Sequence, residues 1–206
     1  MSTTKRGYSR AFGSSQGTRP SKKAKTAMVR RSSPAKKFIL GKTTKATLRY
    51  SEGVNITSSA ATNALGTYVF SANGCYDPNV TGVGNQPRGF DQLMALYDHY
   101  TVKSAKVSVR FLNQSASSRP YVGIAVRDST TAFAELKDMM EYDGSIVSKL
   151  PLARSTAGAA KDMATCLETR VDIAKFLGRA NAMSDPELKG SAGANPSELV
   201  QFHVMV

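Results

Sequence analysis

The sequence predicts an all-β fold, and three observations carry the prediction. Apolar side chains recur at every second position in five separate stretches, the spacing of half-buried strands, and two further short stretches, 66–72 and 146–150, also read as strands. One stretch alone, near residue 90, has clear helical spacing. No helical pattern of crossover length separates successive strands, so the strands are expected to pair antiparallel.

The chain begins with a stretch of different character. From Met1 to Ser51 there are fourteen Lys or Arg and no Asp or Glu; the first acid is Glu52. The remaining 155 residues carry fourteen Lys or Arg against fifteen Asp or Glu, so the formal charge of +13 is an arm of +14 joined to a body of −1. Cation density confined to one end points to a polyanionic partner. Residues 1–42 read as a disordered basic arm, because apolar residues there are sparse and aperiodic. Its candidate nucleic-acid-binding residues are Lys5, Arg6, Arg10, Arg19, Lys22, Lys23, Lys25, Arg30, Arg31, Lys36 and Lys37. Such side chains neutralise phosphates and release counterions without reading sequence. Tyr8 and Phe12, among the first cations, suit stacking on unpaired bases. The same clusters resemble nuclear-localisation signals. A merely solvating tail would have no need to exclude every acid.

The body, 43–206, follows in order. Between Lys45 and Ile56 the apolar side chains are Ala46, Leu48, Tyr50, Val54 and Ile56, a first strand with a bulge at Gly53. Small residues from Ser58 to Asn63 read as a loop. Residues 66–72 (GTYVFSA) are β-branched and aromatic, a second strand closed by the turn pair Asn73-Gly74. A long Gly- and Pro-containing loop, 75–89, leads into the helix, expected over about 90–99. There Phe90, Leu93, Met94 and Tyr97 share one face, and Asp91 sits in the first turn. Phe90, Leu93 and Tyr97 are expected in the core or at a subunit contact.

Alternation then returns. Ala105, Val107, Val109 and Phe111 interleave with Lys106, Ser108 and Arg110; Val122, Ile124 and Val126 interleave with Gly123, Ala125 and Arg127. Residues 131–141 suggest a helical turn or two, and 146–150 a short strand stopped by Pro151. After a small-residue loop, 153–160, Leu167, Thr169, Val171 and Ile173 alternate with Cys166, Glu168, Arg170 and Asp172. Residues 174–178 suggest another helical turn, and the chain closes on Val200, Phe202, Val204 and Val206. Seven strands with long loops suit two sheets packed face to face, a β-sandwich or jelly roll. An immunoglobulin-like sandwich fits less well, lacking the Cys–Trp–Cys pattern.

Other classes find little support. No run of eighteen apolar residues spans a membrane, and the basic N-terminus lacks the apolar segment of a secretory signal. Cys75 and Cys166 are in no metal-ligand spacing, and His99 and His203 form no metal motif. No nucleophile elbow, zinc motif or dinucleotide fingerprint occurs, so neither an enzyme nor a cofactor is expected. The acidic run Glu135, Asp138, Glu141, Asp143 suits a hard cation in principle, but reads first as a solvated face.

Residues 86–102 (QPRGFDQLMALYDHYTV) resemble a stretch in capsid proteins of circular, Rep-encoding single-stranded DNA viruses, the circovirus-like group. Residues 68–78 (YVFSANGCYDP) resemble the segment that leads into it there. The likeness covers roughly 40–206 and is most specific at 66–112. It implies a single jelly roll that self-assembles into a small icosahedral shell, with the arm inside on single-stranded DNA. It also implies a place in the virion, and in the host nucleus during assembly. It brings no catalytic residue. A jelly-roll coat protein of a small RNA virus, or a cellular nucleic-acid-binding protein with a basic tail, are the alternatives. A binding module usually carries a basic face on its folded domain, whereas this body is near neutral. A jelly roll has eight core strands and seven are read here. Because the sequence stops inside an alternating run at Val206, either the shell domain lacks its final strand or one strand is misread.

Overall fold

A computed structural model describes residues 41–58, 65–152 and 164–206. The arm to residue 40, most of the loop expected at 58–63 and the loop at 153–160 lie outside the described residues. Contacts divide the chain between Thr44 and Lys45.

The body, from Lys45 on, consists mainly of antiparallel strands with short helices between them. In order they are β1 (Thr67–Ser71), α1 (Phe90–Met94), β2 (Ser104–Leu112), β3 (Tyr121–Arg127), α2 (Leu136–Glu141), β4 (Ile146–Lys149), β5 (Ala164–Asp172), α3 (Ile173–Phe176) and β6 (Gln201–Met205). A 3-10 turn at Pro186–Leu188 precedes β6. One sheet has the order β1-β6-β3-β4, the other pairs β2 with β5, and every pairing is antiparallel. Non-consecutive neighbours in both sheets mean that long loops carry the chain from one sheet to the other, which is why few hairpin turns mark the sequence.

Period two places the core. Val122, Ile124 and Val126 of β3 and Phe202 and Val204 of β6 meet Phe111 of β2 and Leu167 and Val171 of β5 in one buried cluster, so the apolar faces of the two sheets pack together. The opposite face of the four-stranded sheet is also covered. Ala125, Met205, Met139 and Phe133 form a second cluster there, beneath α2. Gly123 makes that approach possible, since a Cβ on it would lie 2.7 Å from the Met139 sulfur. β3 is therefore buried on both sides, and its intervening Gly and Ala are covered as fully as its Val and Ile.

Three expectations are corrected. The segment 45–56 is not a strand. Its alternation survives in part, with Leu48, Tyr50, Val54 and Ile56 half-buried between exposed neighbours and Ala46 exposed, but no strand pairs with it among the described residues. It is held by side chains instead: the Tyr50 ring lies 6.3 Å from that of Phe70, and Ile56 packs on the main core. The body thus has six strands among the described residues, where seven were expected. The helix expected over 90–99 ends at Met94. Past it the hydrogen bonds mix spans, Tyr97 N–H donating to Leu93 O at 3.1 Å and Leu96 N–H to the same carbonyl at 3.0 Å, the pattern of a fraying turn. The turns expected within 131–141 and 174–178 form as α2 and α3, the latter beginning one residue early.

Candidate nucleic-acid interface

Lys5, Arg6, Arg10, Arg19, Lys22, Lys23, Lys25, Arg30, Arg31, Lys36 and Lys37 all lie outside the described residues. Lys42, Lys45 and Arg49, which continue the run, are exposed.

The three apolar residues singled out on the helix fare differently. Phe90 is buried and meets the Tyr100 ring edge-on at 5.3 Å. Leu93 and Tyr97 are half-buried, and Leu96 beside them is 56% exposed. Gly89 sets the direction of the turn: its φ of 91° is one that side chains rarely adopt. Tyr100 anchors the neighbouring loops. Its hydroxyl accepts from Cys75 N–H at 3.0 Å, and burial raises its pKa to about 12. The Asn195 side-chain Oδ1 accepts from the backbone amides of Tyr76 and Asp77 at 3.0 and 3.1 Å, tying the 73–79 loop to the approach to β6. The same surroundings push the Cys75 thiol up to about 11 by burial. These bonds make the region a packed joint between neighbouring loops.

The cations of the body gather elsewhere. On β2 and β5 the core takes the odd positions, leaving Lys106, Ser108 and Arg110 outward opposite Arg170, Glu168 and Cys166. Lys106 and Arg170 face each other directly across the ladder, a like-charge pair that costs stability unless relieved. Lys106 turns diagonally to Glu168, 2.7 Å away, and its hydrogen bond, then that of Ser108, holds the exposed Glu168 carboxyl below its usual range. Arg170 donates to the Ser104 hydroxyl at 3.2 Å. Lys103, whose carbonyl accepts from Ile173 N–H at 3.0 Å, and Lys175 on α3 add two exposed cations at one end of this face. Asp172 caps α3 by accepting from Lys175 N–H at 3.0 Å. Five cations thus surround two carboxylates, each already engaged. Among the described residues Lys103, Arg110, Arg170 and Lys175 form no ion pair, whereas Arg179 binds three acids: Asp185, Glu187 and Glu198.

Alternation in the sequence had placed Lys106, Arg110 and Arg170 outward. Their pairing into one face was not readable, because it depends on the register of two strands far apart in the chain. No group of three or more His, Cys, Asp or Glu is positioned to hold a metal among the described residues. No helix among them is long and apolar enough to cross a membrane. No protein-family model matches the sequence, and no curated protein matches it either.

Proposed function

We propose that the chain is a viral coat protein: a single jelly-roll subunit that self-assembles into a small icosahedral shell and packages single-stranded DNA through its basic arm. The observation that carries the reading is charge segregation, an arm of +14 on a body of −1. Copies of a near-neutral body can pack without mutual repulsion, while their arms gather the charge that a genome needs. The order of strands supports the jelly roll. Where eight strands form two Greek keys, the second to seventh pair as second-seventh-fourth-fifth and third-sixth. β1 to β6 have that order in both sheets. Exposed Leu96, Tyr121, Ile146 and Met140 suit contacts between copies. In this reading the protein resides in the virion, passes through the host nucleus on signals within the arm, and has no catalytic role.

Negative-stain microscopy of the purified chain, with assay of nuclease-protected nucleic acid, tests the proposal. Round particles of one size that protect nucleic acid are expected, and deletion of residues 1–37 should remove the protected nucleic acid. A chain that stays monomeric at all concentrations, or a deletion variant that packages normally, would overturn it.

A further inference from the structure

The outer face of the β2–β5 sheet ends in an open cleft of about 560 Å3 lined by Arg170, Val171, Asp172, Lys175 and Phe176. Phe176, at the end of a four-residue helix, is 38% exposed, an aromatic ring that shares the cleft lining with two cations. Val171, also in the lining, belongs to the main core. Asp172 is the one carboxylate in the lining, and its Oδ1 is occupied by the α3 cap.

We propose that this cleft is a second contact for single-stranded nucleic acid, on the folded body, with a base stacked on Phe176 and the adjoining phosphates on Arg170 and Lys175. An exposed ring flanked by cations is the pairing that single strands use: every base offers a π face, and every linkage offers a charge. Arg170 and Lys175 are available because neither is engaged by a carboxylate among the described residues. Lys103, Lys106 and Arg110 extend the positive face along the strands, giving the sugar–phosphate chain a track beyond one nucleotide. A protein partner fits less well, because cations around a lone aromatic ring offer little apolar area to bury. The inference rests on the nucleic-acid reading above and adds a site that the arm does not supply. It also gives the body a base contact of its own, separate from the stacking that Tyr8 and Phe12 suit in the arm.

The chain contains no Trp, so Phe176→Trp in the full-length protein introduces a single fluorescent reporter at an exposed position. The variant would be titrated with a short oligothymidylate, binding being followed in parallel by mobility shift. Quenched emission that tracks the mobility shift is the expected result. Adding Arg170→Gln and Lys175→Gln should reduce the quenching and flatten the salt dependence of log K by about 1.4. Phe176→Ala should weaken binding about tenfold. A mobility shift without a change in emission would overturn the cleft and leave the arm's role intact. Equal quenching by inorganic polyphosphate, which has no bases, would overturn stacking. Absence of any mobility shift would remove both this site and the packaging function.

Discussion

His203 is fully buried in the middle of the four-stranded sheet, between Val69 of β1 and Ala125 of β3. Its Nε2 lies 2.6 Å from the Ser129 carbonyl, which can accept but not donate, so Nε2 carries the proton of the neutral ring. Nδ1 has no hydrogen-bond partner. The Phe133 ring stands edge-on to the imidazole, and the Arg127 guanidinium lies 4.3 Å over that same ring. Burial lowers the His203 pKa, the Ser129 bond opposes that shift, and the Arg127 charge adds to it. The unfolded chain therefore takes up a proton near the ordinary histidine pKa of ~6.5, before the folded chain does. Across that window the unfolded state binds more protons, so stability falls as pH drops and levels off below the folded-state pKa. The denaturant midpoint should be lower at pH 5.5 than at pH 7.5, and His203→Gln should reduce the difference. An equal pH dependence in the variant would assign the effect elsewhere, His99 being exposed. Phe90 makes a simpler case: with 2% exposure, its truncation in Phe90→Ala should cost about 3–5 kcal/mol in urea unfolding. A loss below 1 kcal/mol would mean that this face carries no core. Phe90 was legible from helical spacing alone. The setting of His203 was not, because Ser129 lies 74 positions away and only the folded register brings it near.

Among the elements, the packing of α2 on β3 is close enough for one substitution to probe it. Gly123→Val would place a Cβ within 2.7 Å of the Met139 sulfur and 3.1 Å of the Ile146 carbonyl, with further methyls beyond. Met139 can shift but the β4 backbone cannot without breaking its ladder, so a loss of about 1–3 kcal/mol is expected. Hydrogen exchange should show faster opening of 136–141 and 146–149, with 104–112 little changed. Uniform acceleration across both sheets would show that α2 is part of the global unit and not a local cover. The sequence marked β3 by its alternating Val122, Ile124 and Val126, but treated Gly123 and Ala125 as the exposed face. Small residues at those positions were the available signal of a second covered face, since a close-lying helix leaves no room for larger side chains. The segment 45–56 illustrates the opposite limit. Alternation reports which side of a segment is buried, and it did so correctly for Leu48, Tyr50, Val54 and Ile56. A strand also needs a hydrogen-bonded neighbour, which is a property of two segments that no single stretch can reveal. The shortened α1 has the same origin: four apolar positions spanning two turns do not distinguish a helix from a turn that continues its spacing.

Across the whole molecule, charge distribution is the feature most directly legible in the sequence, because it needs no contact map. Eleven cations between Lys5 and Lys37 stand against no acid, and each phosphate neutralised on a single strand contributes about −0.7 to the slope of log K against log salt. With the arm fully engaged, that slope should be about −7 to −8. Replacing Lys22, Lys23, Lys25, Lys36 and Lys37 by Gln should flatten it by about 3.5. The effect should be uniform across oligonucleotide sequences, since phosphate contacts carry no base information. Thermal unfolding of the body should be unchanged, because the replaced residues all precede the division at Thr44. Scaled to a closed shell of about sixty copies, the fourteen cations before Glu52 supply ~840 positive charges, enough for a single-stranded genome on the order of a kilobase. Particles of the five-Gln variant should then protect roughly two thirds of the parent's nucleic acid, as nine of fourteen cations remain. Measuring protected nucleotides per subunit in both particles decides the matter: equal content would show that something other than arm charge sets the cargo, and an unchanged salt slope would show that the arm is not the ligand-binding element.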